Sequence, residues 1–139
     1  MTTIVWDGKQ LAADSLATDD LTGIEVCKLV RTPEGVAGAA GDLAECAAAL
    51  AWLSDGAQGD APTIASTSVL FTRGRDCFMA ASGWPGIRVK GVAAIGSGAQ
   101  GALVALRLGL DAPAAVNAVI GVDPATGGEV DVLRPRRGR

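Results

Sequence analysis

The chain has 139 residues, a formal net charge of −3 and no histidine. One domain of this length buries a substantial core, and the lack of histidine excludes Ser-His-Asp and Cys-His sites and the usual zinc sites. The negative charge argues against nonspecific nucleic-acid binding. No apolar run is long enough to span a bilayer, and no secretory signal opens the chain. Three scattered cysteines, Cys27, Cys46 and Cys77, form no disulfide framework, so a reducing cytoplasm is expected, with the thiols as core filler. Aromatics are only 4% of residues. Ala and Gly carry much of the apolar content, so backbones pack closely, and Trp6, Trp52 and Trp84 read as packing anchors.

Thr2 follows Met1 directly and opens an alternating run to Trp6. Asp7-Gly8 then signals a tight hairpin turn of type I′, and a second apolar run ends at Asp14, back beside the start of the chain. Gly23 to Val30 reads as a strand with Lys28 inside it; Thr32 to Gly35 is a turn and Val36 to Ala40 the return strand. Asp42 caps a helix in which Leu43, Cys46, Ala47, Leu50 and Leu53 share one face, with Glu45 placed for a capping box and Gly56 as the stop. Residues 55 to 66 are a loop. Strands Thr67–Thr72 and Cys77–Ser82 flank Arg73 to Asp76, and short strands follow at Ile87–Lys90 and Val92–Ile95. Gly96-Ser97-Gly98 opens a helix over Ala99–Leu108. Asp111 caps another, with Pro113 in its first turn, ending near Val122. Asp123 to Gly128 is a loop, Glu129–Leu133 a closing strand, and 134–139 a basic tail. Clustered hairpins with separate helices give an α+β domain over 1–133.

Thr-Thr-Ile-Val followed by Ala-Ala-Asp-Ser-Leu-Ala-Thr resembles the opening of proteasome β subunits and the bacterial HslV peptidase, which are N-terminal-nucleophile hydrolases. The likeness runs in order along most of the chain. It takes in Lys28 in Cys-Lys-Leu-Val, Gly38 in the glycine turn before the first long helix, Ser97 in Gly-Ser-Gly, and Asp123 with Thr126-Gly127-Gly128 in place of Asp-x-x-Ser-Gly-Gly. Each motif is weak alone; their shared order is hard to obtain by accident.

The resemblance implies a four-layer α-β-β-α sandwich and hydrolysis of peptide bonds in peptides or unfolded proteins. The helical layers are expected to be reduced, because only a loop stands where the family has a second helix beside the first. Removal of Met1 would expose Thr2 as nucleophile. Without histidine, the base would be the Thr2 α-amine, whose reference pKa of about 7.7–8.0 leaves a neutral fraction at pH 7. Lys28 would lower that pKa, Asp14 would hold Lys28, Ser97, Asp123 and Thr126 would orient the amine and relay protons, and the Gly38 N–H would receive the oxyanion. No cofactor or metal is implied. The expected partners are further copies of the chain in a ring and an ATP-dependent unfoldase.

Taken singly, these residues also have plain structural readings. Asp14 and Lys28 would be a surface ion pair, Gly38 a turn glycine, Ser97 a helix cap, and Asp123 and Thr126 loop residues. Two other functions fit the same fold: a catalytically silent structural or assembly subunit, and a small-amide hydrolase.

Overall fold

A computed structural model describes residues 2–19 and 22–136. The elements run β1 (Thr3–Trp6), β2 (Leu11–Ala13), β3 (Leu16–Asp19), β4 (Thr22–Glu25), β5 (Leu29–Thr32), β6 (Gly35–Gly41), α1 (Leu43–Ser54), β7 (Thr67–Arg73), β8 (Asp76–Ala81), β9 (Ile87–Arg88), β10 (Ala93–Gly96), α2 (Ala99–Arg107), α3 (Ala112–Val119) and β11 (Asp131–Leu133).

Side chains on a strand alternate between faces, and in β1 both faces are buried. Ile4 and Trp6 point to one side with Leu11 and Ala13 of β2, while Val5 and Ala12 point to the other. β1 and β2 belong to an antiparallel sheet of order β10-β1-β2-β11; a second has order β5-β6-β7-β8-β9. In the second sheet Val36, Ala40 and Leu70 join Ile4 and Trp6 in a core between the sheets. Ala37, Ala39, Val69 and Phe71 face outward against Leu50 and Leu53 of α1. Val5 and Ala12 pack on Ala102, Ala105, Val116 and Val119 of α2 and α3. The layers are therefore helix pair, sheet, sheet and single helix, the expected α-β-β-α sandwich with one helical layer reduced.

Local chemistry explains most boundaries and corrects several. Asp42 caps α1 by accepting from the Glu45 N–H at 2.9 Å. Glu45 does not reciprocate as a capping box; its carboxylate holds Ser66 N and Thr67 Oγ1 instead, pinning the loop back onto the sheet. Asp111 caps α3 as expected, but that helix ends at Val119, short of Val122. The β1–β2 turn is wider than type I′. Trp6 pairs with Leu11, and of the two turn residues only Gly8 has positive φ. The Asp7 carboxylate organises this loop by accepting from Lys9 N and Gln10 N.

Gly23–Val30 is not one strand. β4 pairs with β3, an unanticipated strand, in a separate two-stranded sheet. After a break at residues 26–28 the chain enters β5, which pairs with β6. That break lets Lys28 turn into the protein. Leu43, expected on the buried face of α1, is 59% exposed. The closing strand begins at Asp131 rather than Glu129. Met1 and residues 137–139 of the basic tail lie outside the described residues.

Candidate active site

β1 begins at Thr3, so Thr2 stands at the edge of the sheet, still 7% exposed, with β10 and β2 on either side of the strand it leads into. The first sheet can close on this corner because of its glycines. Gly96 sits at φ +97°, and a Cβ there would collide with the Thr2 carbonyl. A Cβ at Gly98 would run into Thr3 Oγ1 and Val119. Gly-Ser-Gly is thus a requirement of close packing around Thr2 and Thr3.

Asp14, fully buried just beyond β2, is the hub of the interior side. Its Oδ1 accepts from Lys28 Nζ at 2.9 Å and Thr3 N at 3.0 Å, and its Oδ2 from Gly127 N at 3.0 Å. Lys28 also donates to the Leu16 carbonyl at 2.5 Å. This is a buried pair with side-chain exposures of 7% and 0%, not the surface ion pair of the plain reading. Burial lowers the Lys28 pKa from its usual value, against the opposing hydrogen bond and charge of Asp14.

A second polar cluster lies on the α2–α3 side. Asp123 Oδ2 accepts from Ser97 Oγ at 2.5 Å and from Thr126 Oγ1 at 2.7 Å. These hydroxyls hold the Asp123 pKa below its ordinary value. Ser97 Oγ also reaches the Thr2 carbonyl at 3.5 Å. Ser97 does not cap α2; Gly98 occupies that position with no side-chain bond.

The two clusters meet through residues that motif reading missed. Thr3 Oγ1 is 2.7 Å from Thr126 Oγ1, while its N–H bonds Asp14, so one buried threonine joins both carboxylates. Gly127, next to Thr126 in the loop, fixes that loop to the interior side: its N–H holds Asp14 and its carbonyl accepts from Ser15 N and Leu16 N at 3.1 Å. The signal for Thr3 was a polar residue at the head of an otherwise apolar, doubly buried strand.

In front of Thr2 opens a cavity of about 720 Å³ between the β3–β4 hairpin and α1. Ala17, Ile24, Val26, Ala39, Ala47 and Leu50 supply apolar wall, and Thr2 and Lys28 lie at one side. Cys27 and Cys46 line it too, so Cys27, an exposed thiol, is not core filler. Burial raises the Cys46 thiol pKa, which keeps it protonated, and pushes Cys77 up to about 12. Cys77 alone is fully in the core between the sheets.

Gly38 is not at this cavity. It is in mid-strand, in register with Leu29 on one side and Leu70 on the other, and an added Cβ would lie 2.7 Å from Leu29 Cδ2 and 3.0 Å from Ile4 Cγ2. Its small size serves packing between the sheets. Gly41, three residues on at φ +137°, does line the cavity. Among the described residues no cluster of His, Cys, Asp and Glu could hold a metal ion, and no helix is long and apolar enough to cross a membrane.

No family profile and no curated protein sequence matches the chain. Solved structures do. BPH from Thiobacillus denitrificans, in complex with epoxomicin, is 19% identical with a TM-score of 0.71, covering 94% of this chain and 95% of that one. Eukaryotic HslV from Trypanosoma brucei is 20% identical with a TM-score of 0.68, covering 94% and 96%. The Gly-1 mutant of Anbu from Hyphomicrobium sp. strain MC1 is 13% identical with a TM-score of 0.74, covering 97% and 82%. At these identities the likeness is one of fold, and the chain has an HslV-like fold.

Proposed function

We propose that the protein is a threonine peptidase in which removal of Met1 frees Thr2 as nucleophile. The observation that carries this reading is the convergence of the buried Lys28–Asp14 pair and the Ser97–Asp123–Thr126 cluster on the residues at the start of β1, with an apolar cavity in front. A merely structural subunit has no need for a buried ammonium beside its N-terminus, since burying such a pair costs desolvation that apolar residues would avoid.

In this reading Thr2 Oγ attacks the scissile carbonyl while its proton passes to the neutral α-amine. Lys28, kept in place by Asp14, disfavours protonation of that amine and so enlarges the base-competent fraction at neutral pH. The Ser97 and Thr126 hydroxyls, anchored on Asp123, orient the amine and return the proton to the leaving nitrogen. Water then hydrolyses the threonyl ester, regenerating Thr2. The oxyanion donor is the N–H of Gly41 in place of Gly38. Pairing of β6 with β5 stops at Gly38, so the backbone beyond it borders the cavity, and one such donor is worth roughly 2.7–4 kcal/mol.

Apart from Lys28 beside Thr2, the cavity wall is uncharged and mostly apolar, so the residue preceding the scissile bond is apolar and of substantial size. Each methylene that enters such a pocket contributes about 0.8 kcal/mol. Substrates are peptides or unfolded chains, reached inside a ring of copies as in the self-compartmentalised proteases. The test is hydrolysis of fluorogenic peptides by the chain lacking Met1. Turnover of peptides with a large apolar residue before the reporter, abolished in Thr2→Ala, supports the reading; turnover retained in Thr2→Ala overturns it.

A further inference from the structure

At the opposite end of β1 from Thr2, a groove of about 530 Å³ separates the β1–β2 turn from the β7–β8 turn and β9. It shares no lining residue with the Thr2 cavity. Its floor is apolar: the partly buried Val89 lies over the edges of Trp6 and Cys77, which are otherwise held in the core between the sheets. Its rim carries Arg75, Arg88 and Lys90 against a single carboxylate, Asp76. Asp76 is engaged by Arg88 at 3.1 Å, while Arg75 and Lys90 have no ion-pair partner among the described residues. The other nearby carboxylate, Asp7, is turned into its own loop and α3, accepting from Lys9 N, Gln10 and Ala112 N. The rim itself thus carries three cations against one carboxylate, in a chain whose net charge is −3.

Two unpaired cations above an apolar floor match a molecule with a doubly charged anionic head and a flat apolar body. Guanidinium and ammonium groups together favour phosphate over a single carboxylate, because the fork of Arg fits two phosphate oxygens while Lys adds a point charge. The volume is that of a small-molecule site rather than of a nucleic-acid track. We propose that this groove binds a small organic phosphate monoester, its phosphate held by Arg75 and Lys90 and its apolar part lying against Val89 and the exposed edge of Trp6.

The test is calorimetric titration of the folded protein with phenyl phosphate and, separately, inorganic phosphate at low salt. The variant is Arg75→Ala/Lys90→Ala, whose side chains are exposed and whose fold is checked by its melting temperature. The expected result is saturable binding of one phenyl phosphate per chain, tighter than inorganic phosphate, and weakened about tenfold or more in the variant. Tenfold corresponds to about 1.4 kcal/mol, which loss of one charge-assisted hydrogen bond is enough to remove. Peptide turnover should be unchanged in the variant. No saturable binding below about 10 mM, a range in which even millimolar sites with about −4 kcal/mol would register, overturns the proposal. Equal affinity in the variant, or equal affinity for phosphate with and without the phenyl ring, overturns it as well.

Discussion

Lys28 bears the largest share of the proposed chemistry, and its replacement separates charge from structure. In Lys28→Ala the Thr2 amine should regain a pKa near its free value of about 7.7–8.0, so turnover lost at pH 7 should partly return as the pH rises. General-base effects are typically about 10²–10⁴-fold, and the loss at pH 7 should fall within or beyond that range. Lys28→Arg should rescue poorly, because a planar guanidinium does not fit a buried site shaped around one ammonium bonded to Asp14 and the Leu16 carbonyl. The check is the pH dependence of kcat/KM, with melting temperatures confirming the fold, since an unpaired Asp14 is itself destabilising. An unchanged profile would remove Lys28 from the mechanism. Asp123 gives a second pH signature. Its folded-state pKa is lowered by the Ser97 and Thr126 hydroxyls, so the unfolded chain holds the proton more tightly. The stabilisation is therefore present above the ordinary carboxylate value of 3.8 and is lost as pH falls below it. Asp123→Asn should melt below wild type at pH 7, with the gap closing on acidification; a gap independent of pH would contradict this.

Among the elements, α1 does two jobs: it covers the outer face of the second sheet and forms one wall of the Thr2 cavity. Loss of its cap in Asp42→Ala should cost about 0.5–2 kcal/mol in a denaturant titration, because the Glu45 N–H loses its acceptor. Ala47→Leu should leave the helix stable but fill part of the cavity, shifting preference from large to small apolar residues, with kcat/KM ratios across a peptide series as the readout. Much of this architecture was legible in the sequence. Asp42 and Asp111 capped the helices they were expected to cap, and hairpin β7–β8 sits where Arg73 to Asp76 placed it. What was hidden has a physical reason. The alternation from Gly23 to Val30 continues through a break, because the buried end of Lys28 is held by Asp14 and Leu16, partners distant in sequence. Gly38 and Gly41 both stand shortly before α1 in the sequence, and only the register with Leu29 and Leu70 shows that the first serves the core. Ser97 reads locally as a cap, whereas its bond runs to Asp123, 26 residues away.

At the scale of the molecule, the surface leaves Leu108 77%, Val122 80% and Val104 60% exposed on and beside α2 and α3. Large apolar side chains left exposed along the outer helices are the kind of surface a neighbouring subunit covers. Light scattering should therefore give an assembly of many copies at micromolar concentration; a monomer throughout would count against the closed chamber. The proposed chemistry starts at one atom, Thr2 Oγ. Intact-mass and peptide-mapping analysis of the purified protein before and after treatment with an epoxyketone tests it, because a threonine hydroxyl and its own free amine together attack the ketone and epoxide of this class. The expected product is a chain lacking Met1 that gains one inhibitor mass, located on Thr2 and absent in Thr2→Ala. A chain shown to begin at Thr2 that stays unmodified, or is modified elsewhere, would contradict it.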